Sequence, residues 1–322
     1  MKVQRKLTII IVMVLLTVVA LGTSTYAWFT LNNIAKVDQI EMGITSGVGI
    51  EVSLDGKTWY NKLDSALISE KTNNVKLESI TTINGYDMTA LDGNTVANES
   101  KYVKFTLHFR VNNVNAVVGN DYGIYLTSHN NSSTYDVMGD GTAIKSKGVD
   151  WKPDVDYIDW NGAKVEYKTT DATKKYYVEN SMRVSFKDNN NIKVFDFSQN
   201  SNADLKRGYA QTYGETDEEK KIAYGAYSYY KNKTNSDASN PTNAPVLNYT
   251  TMYNNNLTEI LDESVTENNN SLISNLTKNG DYYFGETEIR IWIEGWDIDC
   301  FDAVLSDSIK LQMKFQFGII HK

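Results

Sequence analysis

The stretch Val103-Lys104-Phe105-Thr106-Leu107-His108-Phe109-Arg110-Val111 decides the fold, because its apolar and polar side chains alternate without a break. Successive side chains of a β-strand point to opposite faces, so this period of two places every apolar side chain on one face. Such a face must lie against a hydrophobic core. We therefore predict a half-buried strand over residues 103–111.

The same alternation recurs along the chain, most clearly from Ile309 to Phe317. Shorter runs of this kind lie at residues 40–44, 50–54, 123–126, 182–186 and 288–294. Turn dipeptides that tolerate a positive φ separate the runs, as at Asp55-Gly56, Asn84-Gly85 and Asn279-Gly280. Short strands punctuated in this way are typical of an antiparallel β-sandwich or jelly roll, so we predict an all-β fold.

Residues 1–27 have the features of a secretory signal peptide. A cationic start precedes an uncharged apolar run, Leu7 to Leu21, which is short for a membrane-spanning helix. Small residues then lead to Ala27, so we predict cleavage between Ala27 and Trp28. The alternative is an uncut N-terminal anchor, and in that case the signal segment is the membrane contact. Both interpretations place the bulk of the chain outside the cytoplasm, secreted or at the cell surface.

The predicted mature chain is acidic and has no disulfide. Three of the 32 Lys and Arg residues lie in the signal, so 29 cations face 40 acidic residues and the net charge is −11. This charge argues against nucleic acid or an anionic lipid surface as a partner. Cys300 is the only cysteine, so no intrachain disulfide can form, and we interpret it as a small buried hydrophobic residue. Export without disulfides favours a Gram-positive bacterium as the source.

We predict a single β-sandwich domain over residues 28–322, carrying a surface insertion at about residues 198–280. The insertion is rich in Asn, Lys, Ser, Thr and Tyr, and its periodicity is weak. Two short helices are predicted within it, at residues 215–224 and 257–265. The insertion is therefore expected to be polar and partly helical.

Signals of catalysis are weak. The chain has three histidines, and none lies in a nucleophile or zinc-protease motif: His108, His129 and His321. Two acids that are two positions apart on a strand share one face, which leaves a secreted glycoside hydrolase as an alternative. Such pairs are Glu286 with Glu288 and Asp297 with Asp299. We predict a protein that is not an enzyme and needs no cofactor.

Calcium is the metal that the sequence leaves open. Clustered oxygens are available at Asp136, Asp140 or Asp188 with Asn189 to Asn191. Neither cluster has the spacing and terminal Glu of an EF-hand loop, and such residues also form plain turns. We therefore expect turns here, with calcium as the alternative.

Two patches carry a family resemblance. Thr-Ser-Thr-Tyr-Ala-Trp-Phe-Thr at residues 23–30 resembles the signal-peptide end of the TasA and camelysin group of exported Gram-positive biofilm-fibre proteins. The motif Ile-Trp-Ile-Glu-Gly-Trp-Asp at residues 291–297, with Asp299-Cys300-Phe301, resembles the ends of uncharacterised Firmicutes surface proteins. The TasA resemblance implies a jelly-roll domain, a dedicated signal peptidase, and fibres built by passing an N-terminal strand into the next subunit.

On that resemblance the donor strand would contain Trp28, Phe29, Leu31, Ile34 and Val37. Strand addition satisfies an open sheet edge, whereas the alternative is that residues 28–37 fold onto their own domain or are disordered.

We therefore expect an extracellular structural or adhesive protein of the surface or biofilm matrix, which associates with itself or with other surface proteins. The alternative from another class is a carbohydrate-binding β-sandwich module, whose glycan would stack on Trp151, Trp160 or Trp296.

Overall fold

The computed structural model describes most of the chain in separate stretches. These are residues 6, 10, 12–13, 36–44, 49–72, 75–90, 95–96, 99–112, 119–127, 133–139, 141–160, 163–189, 191–196, 224–235, 250–251, 271–295 and 297–320. The described part is an all-β, sandwich-like fold with two short α-helices, which confirms the predicted fold class. No helix of the described residues is long and apolar enough to cross a membrane.

The elements follow in chain order. The strands are β1 (Lys36–Ile44), β2 (Ile50–Ser53), β3 (Ser79–Thr82), β4 (Met88–Thr89), β5 (Val103–Asn112), β6 (Tyr122–Leu126), β7 (Ala143–Ser146), β8 (Val149–Trp151), β9 (Tyr157–Trp160), β10 (Lys164–Tyr167), β11 (Lys174–Tyr176), β12 (Met182–Asp188), β13 (Asn191–Asp196), β14 (Thr250–Thr251), β15 (Leu272–Asn279), β16 (Tyr282–Glu294) and β17 (Ser308–Ile319). The helices are α1 (Ser65–Thr72) and α2 (Ala226–Thr234).

One sheet holds 13 of the described strands, in the order β1-β17-β6-β15-β16-β12-β13-β14, with the others attached at its sides. β5 lies along β16 and carries β2 on its other side. Most neighbours are antiparallel, but β1 on β17, β3 on β16 and β14 on β13 are parallel. The pairs β8 with β11 and β9 with β10 form two small separate sheets.

The large sheet curls into two facing layers because β15 changes its partner along its length. Residues 272–276 pair with β6, whereas residues 277–279 pair with β16. The layer of β1, β17 and β6 therefore packs over the layer of β5, β16 and β12. Aromatic rings meet between the layers: Phe109 and Phe315 have centroids 5.3 Å apart, and Tyr122 and Tyr283 have centroids 5.2 Å apart.

The core follows the alternation that the sequence predicts. Every second residue of β5 from Val103 to Val111 is buried, and the same holds in β17 from Ile309 to Phe315. Burying one large aliphatic or aromatic side chain contributes about 1.5–3 kcal/mol, so these two faces account for much of the stability. The C-terminal part of β16 departs from this alternation. Trp292 lies on the outer face of the strand, yet it is also buried, in a cluster with Ile80 and Met88.

Two glycines let β15 pass between the layers. A Cβ on Gly285 of β16 would lie 2.6 Å from Ser274 Oγ and 2.7 Å from the carbonyl oxygen of Asn275. A Cβ on Gly123 of β6 would lie 2.9 Å from the carbonyl oxygen of Ser274. Real Cβ atoms do not approach a backbone oxygen so closely without displacing it, so β15 needs a residue without a side chain on each flank.

β15 lies inside the stretch that the sequence predicts as a surface insertion, about residues 198–280. Its first residues, Leu272, Ile273 and Ser274, are all buried because the strand is covered by both layers. A strand buried on both faces shows no alternation, which is why its periodicity is weak. The helices predicted at residues 215–224 and 257–265 fall outside the described residues, apart from Tyr224.

We predict that Gly285→Ala lowers the free energy of unfolding by about 1–3 kcal/mol, because the new methyl group must push the β15 backbone away. Urea unfolding followed by tryptophan fluorescence measures the change. Gly49→Ala is the matched control: a Cβ at Gly49 has no atom within 4 Å, so its effect should stay within about 0.5 kcal/mol. Equal effects of the two substitutions would contradict the close approach of β15 to β16.

Candidate functional site

The predicted export and assembly residues lie at the N-terminal end. The cleavage site Ala27-Trp28 and the donor-strand residues Phe29, Leu31 and Ile34 lie outside the described residues. Val37, the last donor-strand residue, lies in β1 and is the register partner of Ile309. β1 therefore continues the predicted donor segment directly into the sheet.

β1 is an edge strand. Its register with β17 runs in parallel from Lys36 opposite Ser308 to Ile44 opposite Phe315, with an irregularity between Val37 and Gln39. Within the described part of the chain, β17 is its only strand partner. The peptide groups along the outer edge of β1 thus have no strand bonded to them among the described residues, and helix α1 lies against the same strand.

The predicted ligand-stacking tryptophans lie elsewhere, in an aromatic cluster. Trp151 of β8 packs against other rings at centroid distances of 4.8 to 6.5 Å, namely those of Tyr157, Tyr176, Tyr229 and Phe301. Trp160 of β9 packs against Tyr224 at 5.4 Å, and Trp296 lies outside the described residues. The contacts of Trp151 and Trp160 join β8, β9 and α2, so both rings have a structural role.

Polar groups fix the edge of this cluster. Tyr229 Oη donates a hydrogen bond of 2.8 Å to Asp154, and Lys233 Nζ lies 3.2 Å from Asp154 and 3.0 Å from Asp302. Burial raises the pKa of Tyr176 to about 12, so its phenol stays protonated near neutral pH. The cluster is therefore a packed group of uncharged rings whose edge is fixed by hydrogen bonds and ion pairs.

The tryptophan-rich motif after β16 also has a structural role. Trp292 is buried, and its Nε1 donates a hydrogen bond of 3.2 Å to Glu294. Asp297 is buried and accepts a 2.5 Å hydrogen bond from Arg183 of β12, whose guanidinium lies 3.5 Å from Asp196. The motif therefore fixes the turn after β16 onto β12, and burial raises the pKa of Asp297 against the opposing effect of Arg183.

A groove opens on the outer face of the layer that contains β5, β16 and β12. Its volume is about 560 Å³. Side chains of the two central strands and of the turn after β2 line it, notably Trp59, Thr106, His108, Phe284, Glu286 and Glu288. The groove lies where β15 leaves β16, because Asp188 of β12 and Asn275 of β15 meet across that gap.

Each acidic side chain in the groove has a partner. Glu286 Oε2 lies 3.1 Å from Nδ1 of His108, and Glu288 Oε1 accepts a 2.6 Å hydrogen bond from Nε of Arg290. Asp188 Oδ2 accepts hydrogen bonds from the backbone N–H (2.7 Å) and the side-chain amide (2.5 Å) of Asn275. The groove therefore combines aromatic rings with a polar wall in which each carboxylate has a hydrogen-bond or ion-pair partner.

The acids singled out in the sequence divide between two environments. Glu286 and Glu288 share the outer face of β16 and line one groove, as expected for residues two apart on a strand. Asp297 lies in a turn, where its carboxylate accepts the backbone N–H of Asp299 at 2.8 Å. The first pair is open to ligands, whereas the carboxylate of Asp297 is fully buried.

Of the oxygens considered for calcium, both carboxylate oxygens of Asp188 accept hydrogen bonds. Asp188 Oδ1 accepts a 2.9 Å hydrogen bond from Nδ2 of Asn189, and Asn191 follows in the same hairpin between β12 and β13. Asp136 is exposed in a turn, and Asp140 lies outside the described residues. Among the described residues, no group of three or more His, Cys, Asp or Glu side chains is placed to hold a metal ion.

Sequence reasoning missed the groove. The alternation places His108 on the polar face of its strand, but it does not indicate that the ring contacts Glu286 of the neighbouring strand. Trp59 follows the Asp55-Gly56 turn and belongs to no periodic run, so no sequence signal connected it with β16. Only the pairing of β5 with β16 brings these side chains together.

Comparison with known proteins gives no relative: no protein-family model matches the chain, and no curated protein matches it.

We predict that Arg183→Met destabilises the protein by about 3–5 kcal/mol, because it leaves the buried carboxylates of Asp297 and Asp196 without their cation. Chemical unfolding at pH 7 measures the change. Lys164→Met is the control, since it breaks an exposed pair with Glu166 and should cost less than about 1 kcal/mol. A small effect of Arg183→Met would show that the pair does not hold the turn.

Cys300 should resist thiol reagents in the folded protein. Its side chain is buried and contacts Ser79 Oγ at 3.4 Å, and burial raises the pKa of the thiol to about 12. The thiolate is the reactive form, so labelling at pH 8 should be far slower than for an exposed cysteine. Labelling with a chromogenic disulfide reagent tests this, and the same protein in urea is the control. Fast reaction of the folded protein would contradict the assigned burial.

Proposed function

We propose that the protein is an exported structural or adhesive component of the surface or biofilm matrix of a Gram-positive bacterium, and that it self-associates through its N-terminal strand. The observation that carries the proposal is the position of β1 at the sheet edge, directly after the predicted donor segment. The signal-like pattern of residues 1–27 supports export.

Exchange of β1 between copies fits the energetics of the sheet. A copy of β1 supplied by a neighbour would form the same parallel hydrogen bonds with β17 that the chain's own β1 forms. Exchanging an identical element costs little beyond the loss of independent motion, since the contacts in both states are the same.

The sequence of β1 suits this role. Ile40, Met42 and Ile44 alternate with polar or small residues, so a donated strand would place one apolar row on the core of the receiving subunit. The register partners of these residues are Leu311, Met313 and Phe315, all buried. A one-residue slip would turn the apolar row outward, so the apolar pattern fixes the register of assembly.

A cysteine pair across β1 and β17 tests the proposal. In the mature chain, residues 28–322, we predict that Gln39→Cys with Lys310→Cys forms disulfides between subunits after assembly, because these positions are register partners. Non-reducing electrophoresis should show a ladder of dimers, trimers and larger species that collapses on reduction. Negative-stain microscopy of the unmodified mature chain should show polymers.

The control pairs Gln39→Cys with Glu166→Cys on β10, which is not a neighbour of β1 among the described strands. This pair should give no ladder under the same oxidation. A product that is linked only within monomers, together with particles that stay monodisperse, would rule out exchange of β1.

A further inference from the structure

We infer that the groove on the outer face of β5 and β16 binds a neutral, hydroxyl-rich polysaccharide. This site is separate from assembly, because β1 belongs to the opposite layer of the sandwich. It is also distinct from the aromatic cluster of Trp151 and Trp160. The inference rests on the shape of the groove, on its charge balance and on the side chains that line it.

The shape comes from the fork between β12 and β15. β16 pairs with β15 at residues 282–284 and with β12 at residues 288–293, so neither strand continues its ladder beside Glu286, although Ser274 Oγ of β15 still donates a 3.1 Å hydrogen bond to the carbonyl oxygen of Glu286. Asp188 and Asn275 bridge the two diverging strands through hydrogen bonds of 2.7 and 2.5 Å. The resulting volume of about 560 Å³ lies within the range of about 300–1,000 Å³ that ligand sites in proteins occupy.

The charge balance favours a neutral ligand. Nε of Arg290 lies 2.6 Å from Oε1 of Glu288, and Nζ of Lys104 lies 4.0 Å from Oε2 of the same carboxylate. Asp188 is held by amides and Glu286 faces His108, and Lys187 also lines the groove, so the three carboxylates lie beside three cations, Lys104, Lys187 and Arg290. Neither a strongly anionic nor a strongly cationic polymer would meet an excess of the opposite charge here, whereas hydroxyl groups can bond to both kinds of side chain.

The aromatic part of the groove is rigid. Trp59 makes an edge contact with Phe284 at a centroid distance of 6.0 Å, and the guanidinium of Arg110 lies 4.7 Å from the Trp59 ring centre. Arg110 is itself fixed by Glu51 through contacts of 2.6 and 2.7 Å. An aromatic surface held in place binds the apolar faces of sugar rings without a large loss of side-chain entropy.

Hydrogen-bonding groups lie around these rings. Thr106 and Thr277 bring hydroxyls to the groove, and Asn189 brings an amide from the hairpin that follows β12. The side chain of Glu286 is 67 % exposed, which makes it the most accessible of the three carboxylates in the groove. Aromatic surface beside several convergent donors and acceptors is the arrangement that fixes the orientation of a polar ligand in a protein site.

Affinity electrophoresis of the intact mature chain tests the inference. The probes are hydroxyethylcellulose, xylan, galactomannan and soluble β-1,3-glucan as neutral polymers, with polygalacturonate and chitosan as charged ones. At least one neutral polymer should retard the protein. Glu286→Gln combined with Thr106→Val should weaken that binding about tenfold or more, which is the loss expected from two good hydrogen bonds.

Glu166→Gln is the matched control, since Glu166 is 55 % exposed on β10, outside the groove. It should leave retardation unchanged, and the urea unfolding curves of all three proteins should coincide. Trp59→Phe, which keeps a ring at the site, should weaken binding less than Trp59→Ala. Retardation by none of the neutral polymers, by charged polymers alone, or equally for the groove variant and the control would overturn the inference. Each result stands whether or not the protein polymerises.

Discussion

The close approach of β15 to both neighbouring strands is the constraint on which the rest of the structure depends. Gly123 and Gly285 leave room for the backbone of β15 at Ser274 and Asn275, so one strand can belong to both layers. Without that crossing, β6 and β16 would have no common neighbour, and the two layers would be joined only by loops. The same crossing opens the fork in which the groove lies, so one packing requirement sets both the core and the site.

Buried carboxylates bind the peripheral segments to this framework. Asp307 accepts backbone hydrogen bonds from Gly148 (2.8 Å) and Val178 (3.1 Å), which joins the segments flanking β8 and β11 to the start of β17. Glu179 accepts the backbone N–H of Ser146 and lies 3.3 Å from Lys145 Nζ, with both side chains buried. Buried charges are tolerated only with such partners, so these acids specify where the small sheet of β8 and β11 attaches.

The two layers of the sandwich offer different surfaces. One ends in β1, whose backbone edge suits pairing between copies of the chain, and the other carries the groove, whose side chains suit a polar ligand. Because the core separates them, the two surfaces can be occupied at the same time. Under the proposed function, the backbone edge of one layer would join copies of the chain, and the side chains of the other layer would bind polymers.

The sequence by itself determined the fold class and its principal strands, because period-two burial is a local property that β5 and β17 show residue by residue. It also determined the burial of Cys300 and the glycine turns at Gly56 and Gly280, both with positive φ. Only the tertiary structure decided which polar faces become a site, since His108 and Glu286 are 178 positions apart and meet through strand pairing. β15 was not predicted because its side chains do not alternate: its first three residues are all buried between the layers, and most of those that follow are exposed.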